Sequence, residues 1–266
     1  MCIRDSLSVD QIEALAKRLI DAEANFAPVG PLTEEFSDLS PDDAYKVQLT
    51  VLEKRLSSGR KIVAKKVGLT SKAMQDMFNV DTPDYGMILD DMIIENGAEY
   101  AVGKLLQPRV EPEVAFMLKS DLEGPNVTVE QVLAATDYVF PSLEVIDSRI
   151  KDWKIKLPDT IADNASSARV VVGPGKISIN GLDLINEELV FEKNGIEIGR
   201  AKGDAVLGNP ANAVAWAANK LAEYGVALKA GEFVMPGAFC GATPAQVGDV
   251  IKATFANVGS VSVKFI

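Results

Sequence analysis

Apolar residues recur at helical spacing in the first part of the chain. They predict an amphipathic helix over residues 7–24. Ser40, followed by Pro41 and two aspartates, predicts the start of a second helix, because serine caps the first turn and proline and acidic residues are favoured there. This helix should end near Gly59, and a loop over residues 26–38 should join the two helices.

After residue 60 the pattern changes to short runs of β-branched residues that are separated by Gly, Pro, Asn and Asp. Asn194-Gly195 lies between two such runs and predicts a tight hairpin turn. Two further helices are predicted over residues 128–135 and 210–224. Strands are predicted over residues 61–69, 92–94, 110–118, 139–146, 170–172, 189–192, 233–236, 250–255 and 261–266.

These elements together predict an α+β fold. A small helical N-terminal region over residues 1–60 precedes a β-rich catalytic domain over residues 61–266, and the two form effectively one structural unit. The length of 266 residues and the hydrophobic content of 47% suit one large domain with such an appendage.

Charge and apolar patterning exclude several classes of partner. A net charge of −11 argues against nucleic acid and anionic membranes, because both require a basic surface. No apolar stretch approaches the about 18 residues of a membrane span. The start of the chain lacks the layout of a secretory signal, and the two cysteines lie at opposite ends of the sequence. We therefore expect a cytoplasmic protein without a structural disulfide.

The sequence contains no histidine. Its absence excludes Ser-His-Asp and Cys-His catalysis, most zinc and iron sites, and imidazole acid–base chemistry. Any catalysis must then come from carboxylates, lysines, hydroxyls, backbone groups or a metal that oxygen ligands hold.

Glu111 and Glu113 lie near the start of the strand predicted over residues 110–118. Residues two apart on a strand face the same side, so the two carboxylates project together and repel each other unless a cation or a proton lies between them. The pair therefore indicates a hard-metal site. Two surface glutamates at a solvated strand end fit the pair alone equally well.

Glu144 lies inside another apolar strand, where a glutamate is rarely left without a partner. Three carboxylates without histidine favour Mg²⁺ or Mn²⁺, with waters and substrate oxygens completing the ligand shell. In the alternative interpretation, Glu144 forms an ion pair with Arg149 or Arg109.

Three other segments carry candidate polar groups. Lys66 ends an apolar strand and is either a buried cation that orients a substrate carboxylate or, as is more common, a surface lysine. Residues 82–86 predict a turn in which Asp84 caps backbone groups. The polar residues 162–167 provide either a hydrogen-bonding wall or a turn.

Taken in order, these segments resemble the hydratase/decarboxylase family related to fumarylacetoacetate hydrolase. The resemblance covers nearly the whole chain from about residue 8. It implies the mixed β-roll of the fumarylacetoacetate hydrolase C-terminal domain, with a small helical N-terminal region, assembled into a homo-oligomer. The matching stretches are residues 66–70, 83–86, 107–113, 143–150, 162–166, 207–210, 248–249 and 259–261.

The resemblance also implies the roles of individual residues. Glu111, Glu113 and Glu144 match the family's metal ligands, here for Mg²⁺ or Mn²⁺. Lys66, Asp84 and Ser166 match residues with catalytic roles. We expect Lys66 and Asp84 to handle protons as a pair, and Ser166 to bind the substrate or the attacking water.

The implied substrate is a small 2-oxo acid, and the implied activity is the metal-dependent addition of water to 2-hydroxypenta-2,4-dienoate (2-oxopent-4-enoate), which gives 4-hydroxy-2-oxopentanoate in aromatic-compound catabolism. Decarboxylation of 4-oxalocrotonate and hydration of 2-oxohept-3-ene-1,7-dioate remain alternatives. A second substrate carboxylate would need a second cation, such as Arg149 or Arg169.

Residues 148–155 look most like the hydratases of monocarboxylate substrates, whereas residues 71–75 and 124–128 resemble the heptenedioate hydratase, and residues 235–242 depart from the hydratase pattern. A non-catalytic subunit in a complex with a pathway enzyme is less favoured, because the three glutamates and Lys66 are all present. Hydrolysis of a C–C bond is disfavoured because that reaction uses a Glu-His pair.

Overall fold

Three helices build the N-terminal part of the chain: α1 (Val9–Ala24), α2 (Leu32–Glu35) and α3 (Pro41–Ser57). The structure is a computed structural model that describes residues 6–71, 75, 80 and 82–266. The predicted cap is confirmed, since Ser40 Oγ accepts from Asp43 N at 3.1 Å. The prediction of a plain loop over residues 26–38 is wrong, because α2 lies within it. A single helical turn is too short to leave a periodic signal.

After α3, the described part of the chain contains three more α-helices and thirteen strands. The helices are α4 (Val129–Ala135), α5 (Leu157–Ala162) and α6 (Pro210–Ala222). The strands are β1 (Ile62–Gly68), β2 (Asp84–Leu89), β3 (Ile93–Glu95), β4 (Glu99–Tyr100), β5 (Arg109–Leu118), β6 (Thr136–Ile146), β7 (Ser167–Val172), β8 (Glu188–Lys193), β9 (Ile196–Lys202), β10 (Phe233–Met235), β11 (Thr243–Pro244), β12 (Val250–Phe255) and β13 (Gly259–Phe265).

The strands form two sheets. The larger sheet has the order β2-β1-β10-β5-β6-β7-β3, with β11 paired to β5, and the smaller has the order β4-β13-β12-β8-β9. Both sheets are mixed, because β1 and β10, β3 and β7, and β4 and β13 run parallel while the other pairs run antiparallel. The predicted α+β class with mixed sheets is confirmed.

The hairpin between β8 and β9 turns at Asn194-Gly195, as predicted. Both residues have positive φ, 55° and 75°, which the primed hairpin turns require and which Asn and Gly adopt at low cost. The prediction of a turn over residues 82–86 is wrong for Asp84 to Gly86, because β2 begins at Asp84. The Pro, Asp and Gly of this stretch are typical turn residues, and pairing with β1 overrides that preference.

Helices and sheets share one large apolar core. Leu15 of α1 and Val47 of α3 belong to the same buried cluster as Val114 of β5 and Leu143 of β6. The boundary predicted at residue 60 stays a prediction. Among the described residues, no helix is both long enough and apolar enough to span a membrane.

Most of the stretch over residues 71–75, whose resemblance was noted above, lies outside the described residues.

Candidate metal and catalytic site

The pairing of β5 with β6 brings three glutamates together. Glu111 lies directly opposite Glu144, and Glu113 lies opposite Ser142. Because side chains alternate along a strand, all three carboxylates project from one face of the sheet. One oxygen from each lies within 4.8 Å of the others. The strands therefore place three oxygen donors around one point.

The three carboxylates are not at a solvated strand end. Glu113 and Glu144 have no exposed surface, and Glu111 is half-buried. Burial first, and then the neighbouring carboxylates, raise the pKa of Glu111 to about 7 and the pKa of Glu113 well above its ordinary value. Burial also raises the pKa of Glu144, although the Lys66 ammonium opposes it. Ionised together, these groups destabilise the protein.

The hydrogen bonds of the cluster leave ligand positions open. Glu113 Oε2 accepts from Gly237 N at 2.8 Å. Within the described residues, neither Glu113 Oε1 nor Glu144 Oε1 has a hydrogen-bond partner. Buried carboxylate oxygens are almost always paired with a donor or a cation, so these orphaned atoms fit a hard divalent cation.

Lys66 is buried, with 4% of its side chain exposed, so the surface-lysine interpretation is wrong. Its Nζ donates to the carbonyl of Ala165 at 2.9 Å and lies 3.4 Å from Glu144 Oε2. Burial works to lower the pKa of Lys66, but the surrounding carboxylates, led by Glu144, raise it above its ordinary value. The side chain is therefore a fixed positive charge beside the three glutamates.

Asp84 lies opposite Gly68 in the pairing of β1 with β2, which places its carboxylate beside Lys66. A Cβ at position 68 would overlap the Asp84 carboxylate, so only glycine permits this approach. Burial raises the pKa of Asp84, against the opposing Lys66 charge. Thr160 Oγ1 lies 3.4 Å from Asp84 Oδ2, and Oδ1 has no partner in the described part of the chain. Asp84 is thus a buried carboxylate and not a backbone cap.

Ser166 lies in a 3₁₀ turn that spans Asn164–Ser166, directly after the carbonyl that Lys66 binds. Only 3% of Ser166 is exposed, and its hydroxyl has no hydrogen-bond partner among the described residues. The polar stretch over residues 162–167 is therefore a turn that also lines the site, so both interpretations of it apply.

Each of the three candidate arginines has a partner other than Glu144. Arg149 Nε donates to Asp163 Oδ1 at 2.5 Å, and Arg109 lies over the Trp153 ring at 4.6 Å, so the predicted pairing of either with Glu144 is wrong. Arg149 is buried in that ion pair, which removes it as a contact for a second substrate carboxylate. Arg169 Nε donates to the Tyr100 hydroxyl at 2.7 Å.

Several groups that contact Glu113, Lys66 and Asp84 were not predicted from the sequence. Two of them are backbone groups: the Gly237 N–H, which binds Glu113, and the Ala165 carbonyl, which binds Lys66. The third is the hydroxyl of Thr160, which lies beside Asp84. Gly237 lies in the stretch over residues 235–242, which was singled out in the sequence only because it departs from the hydratase pattern.

Comparison with known proteins places this geometry in a family. A sequence profile described as "Fumarylacetoacetate (FAA) hydrolase C-terminal" matches residues 56–266. The chain belongs to this family. The resemblance inferred from the motifs is therefore confirmed, and the matched region contains all six predicted site residues.

Relatives in this family match nearly the whole chain. It is 44% identical over 256 residues to a 2-hydroxyhexa-2,4-dienoate hydratase of Comamonas testosteroni, covering 96% of this chain and 97% of the relative. It is 46% identical over 217 residues to a 2-hydroxypent-2,4-dienoate hydratase of Pseudomonas putida, covering 81% and 98%.

A solved structure is also close. The 4-oxalocrotonate decarboxylase from Pseudomonas putida G7, complexed with magnesium and adipate, superposes with a TM-score of 0.96 at 39% identity. The match covers 99% of this chain and 100% of that one. The relatives thus include the hydratase and the decarboxylase activities that the motifs predicted.

Proposed function

We propose that the chain is a divalent-metal-dependent hydro-lyase that adds water to 2-hydroxypenta-2,4-dienoate and gives 4-hydroxy-2-oxopentanoate, a step in aromatic-compound catabolism. One observation carries the proposal: three carboxylates, two of them fully buried, share a sheet face with the Lys66–Asp84 pair. The identities of 44% and 46% to dienoate hydratases favour hydration as the reaction.

The residues present fit a divalent cation. Glu111, Glu113 and Glu144 would hold it, because they offer one oxygen each within 4.8 Å and include orphaned buried atoms. Carboxylates without histidine favour Mg²⁺ or Mn²⁺ over softer metals. When bound, the cation would supply a positive charge that stabilises negative charge developing on the substrate's carboxylate and 2-oxo oxygens.

Lys66 and Asp84 are placed to handle the protons of the reaction. In hydration, the enol O–H proton leaves and a proton is delivered to the terminal carbon. The resulting unsaturated 2-oxo acid then takes the hydroxyl group of a water molecule at C4 and a proton at C3, while the water gives up its other proton, so that one water is added overall. Asp84 can take up and return a proton, because its buried carboxyl has a raised pKa. The charged Lys66 stabilises ionised Asp84 and anionic substrate oxygens.

Ser166 completes the polar lining. Its buried hydroxyl has no partner among the described residues and can donate to a substrate oxygen or accept from the attacking water. An unpaired buried hydroxyl is costly in the free protein, so a ligand that pairs with it gains affinity.

A second candidate is decarboxylation of 4-oxalocrotonate. It is favoured by the TM-score of 0.96 to the decarboxylase from Pseudomonas putida G7. Both reactions pass through the enolate of a 2-oxo acid, so the same carboxylate cluster and lysine suit either one.

An activity panel separates these functions. The purified protein would be assayed with 2-hydroxypenta-2,4-dienoate, 2-oxohept-3-ene-1,7-dioate and 4-oxalocrotonate, with Mg²⁺, with Mn²⁺ and after EDTA treatment. We expect metal-dependent loss of dienol absorbance with the first substrate and no release of carbon dioxide. Release of carbon dioxide from 4-oxalocrotonate at a higher kcat/KM would establish the second candidate. Absence of metal-dependent turnover for all three would refute both.

Homo-oligomeric assembly, a complex with a pathway enzyme and a cytoplasmic location belong to the same proposal. Size-exclusion chromatography with light scattering, in the presence and absence of the divalent cation, would test the assembly.

A further inference from the structure

The turn that carries Ser166 has an unusual backbone. Asn164, Ala165 and Ser166 are three consecutive non-glycine residues with φ of 56°, 50° and 55°. L-residues adopt this left-handed region singly and at a cost, so a run of three persists only where surrounding contacts hold it. Strained backbone of this kind clusters at functional sites, where it fixes the direction of a group.

Asn164, the first residue of this turn, holds it against β2. Its Oδ1 accepts from Met87 N at 2.8 Å, and its Nδ2 donates to the Met87 carbonyl at 2.9 Å. A single side chain thus satisfies both backbone groups of one residue of the strand that begins with Asp84. Gly86 allows the approach, because a Cβ there would lie 2.5 Å from the Asn164 carbonyl oxygen.

Arg149 binds the two residues that flank this turn. Its NH1 donates to the Ser167 carbonyl at 3.0 Å, its NH2 donates to the Asp163 carbonyl, and its Nε donates to the Asp163 carboxylate. The Arg149 backbone N–H and the Ser148 hydroxyl also donate to that carboxylate, at 3.0 and 3.1 Å. The ends are therefore fixed independently of Asn164.

Two groups of the turn can act at the proposed reaction centre. The Ala165 carbonyl accepts from Lys66 Nζ at 2.9 Å, and the Ser166 hydroxyl is buried without a partner among the described residues. If the turn relaxed towards an ordinary backbone, both groups would move relative to Lys66, while the three glutamates on β5 and β6 would stay in place.

We propose that Asn164 is a positioning residue for the reaction: by clamping the left-handed turn to Met87, it aims the Ala165 carbonyl at Lys66 and the Ser166 hydroxyl at the substrate. This inference rests on the proposed function. Asn164 itself need not touch the substrate, and its two side-chain hydrogen bonds both go to the Met87 backbone.

The test is Asn164→Gly, because glycine adopts positive φ freely and the variant removes the clamp without adding strain. The matched control is Asn194→Gly in the β8–β9 hairpin. Asn194 has a φ of 55°, its Oδ1 accepts from Val250 N at 2.8 Å, and its Nδ2 donates to Asp249 at 2.9 Å. Each variant thus loses two side-chain hydrogen bonds from a left-handed asparagine.

For Asn164→Gly we expect kcat to fall about 10- to 100-fold with KM changed less than about threefold, since a small misplacement of reacting groups costs this much. For Asn194→Gly we expect kcat within about twofold of the wild type. The Kd for Mn²⁺, measured by titration without substrate, should stay within about threefold in both variants, and this readout is independent of turnover.

Equal kcat in the two variants would overturn the proposal. So would a fall in kcat for Asn164→Gly that is matched by a similar loss of Mn²⁺ affinity, because that pattern indicates general disruption. If Asn164→Gly does not fold, Asn164→Asp keeps the acceptor for Met87 N and should lose about 3- to 10-fold in kcat at unchanged Mn²⁺ affinity. A wild-type protein without any metal-dependent turnover would instead refute the proposed function.

Discussion

Replacing Glu111 by glutamine should have opposite effects on the metal-free and the metal-bound protein. Glu111 faces Glu144 across the β5–β6 pair, and burial together with that neighbour raises its pKa to about 7. At pH 8 Glu111 is mostly ionised, although burial and the neighbouring Glu144 carboxylate disfavour its charge. Glutamine has nearly the same shape without the charge, so it removes the repulsion and also removes one of the proposed metal ligands.

The size of the effect follows from the pKa. Glu111 has a pKa of about 7 instead of the ordinary 4.5. One unit corresponds to about 1.4 kcal/mol, so ionised Glu111 destabilises the metal-free fold by roughly 3 kcal/mol at pH 8. A buried glutamine amide with imperfect partners costs about 1 kcal/mol. The variant should then gain roughly 2 kcal/mol without metal, which raises Tm by about 4–8 °C in a chain of this size.

With metal the order should reverse. A ligand present at about 100 times its Kd stabilises the folded state by about 2.7 kcal/mol, and the variant should lose most of this gain. Thermal unfolding at pH 8, with EDTA and with excess Mn²⁺, measures both effects. We expect Glu111→Gln to have the higher Tm in EDTA and the lower Tm in Mn²⁺, with kcat reduced at least about 100-fold.

Glu187→Gln is the matched control. Glu187 is fully buried, and its carboxylate accepts from Asn257 N and Val258 N at 2.7 and 3.2 Å and from Asn257 Nδ2 at 2.9 Å. This variant should lower Tm in EDTA and leave the Mn²⁺-induced shift unchanged. A Glu111→Gln protein that is less stable than the wild type in EDTA would show that the Glu111 charge does not destabilise the metal-free fold. One that keeps the full Mn²⁺ shift would show that Glu111 does not bind the metal.

Further predictions concern stability and metal dependence. Asp43→Asn should lose roughly 2 kcal/mol at pH 7 in urea unfolding: despite the opposing effect of burial, hydrogen bonds from Lys46 and two serines lower the pKa of Asp43 from 3.8 to about 2. This stability is present above about pH 4 and is lost as pH falls through 2, so the two proteins should converge there. Gly237→Ala should weaken Mn²⁺ binding about tenfold, because its Cβ would overlap Thr70 and displace the N–H that binds Glu113. The control is Gly231→Ala, at a glycine that also has positive φ but has open space around it, and it should leave Mn²⁺ binding unchanged. EDTA should abolish turnover, and Mg²⁺ or Mn²⁺ should restore it.

Local patterning was sufficient for much of the fold. The cap at Ser40 and the Asn194-Gly195 turn depend on interactions within a few residues, and both were predicted correctly. The first three residues of β2 were predicted as part of a turn because they favour turns locally, whereas their strand conformation depends on pairing with β1, which the sequence does not encode locally.

The same distinction applies to the site. Glu111 and Glu113 could be paired from the two-residue period of one strand, and the excess of carboxylates over cations pointed to a metal. That Glu144 lies opposite Glu111 depends on the register between strands. The roles of the Gly237 N–H and the Ala165 carbonyl could not be predicted, because every residue except proline has an N–H and every residue has a carbonyl.

The partners of the arginines were also beyond the sequence. From the sequence, Arg149 was a candidate partner for Glu144 or for a second substrate carboxylate. Its partner, Asp163, lies 14 residues away, across a strand connection and a helix. Long-range ion pairs of this kind follow from the tertiary fold and not from spacing.

Equilibrium binding of Mn²⁺, followed by its EPR signal in the absence of substrate, tests the metal site most directly. We expect one Mn²⁺ per wild-type chain, displaced by excess Mg²⁺, and at least about 100-fold weaker binding when Glu111, Glu113 and Glu144 are all changed to glutamine. The Glu187→Gln control should bind as the wild type does. Tight binding of one Mn²⁺ by the triple variant would contradict the assignment of the three glutamates as the metal site.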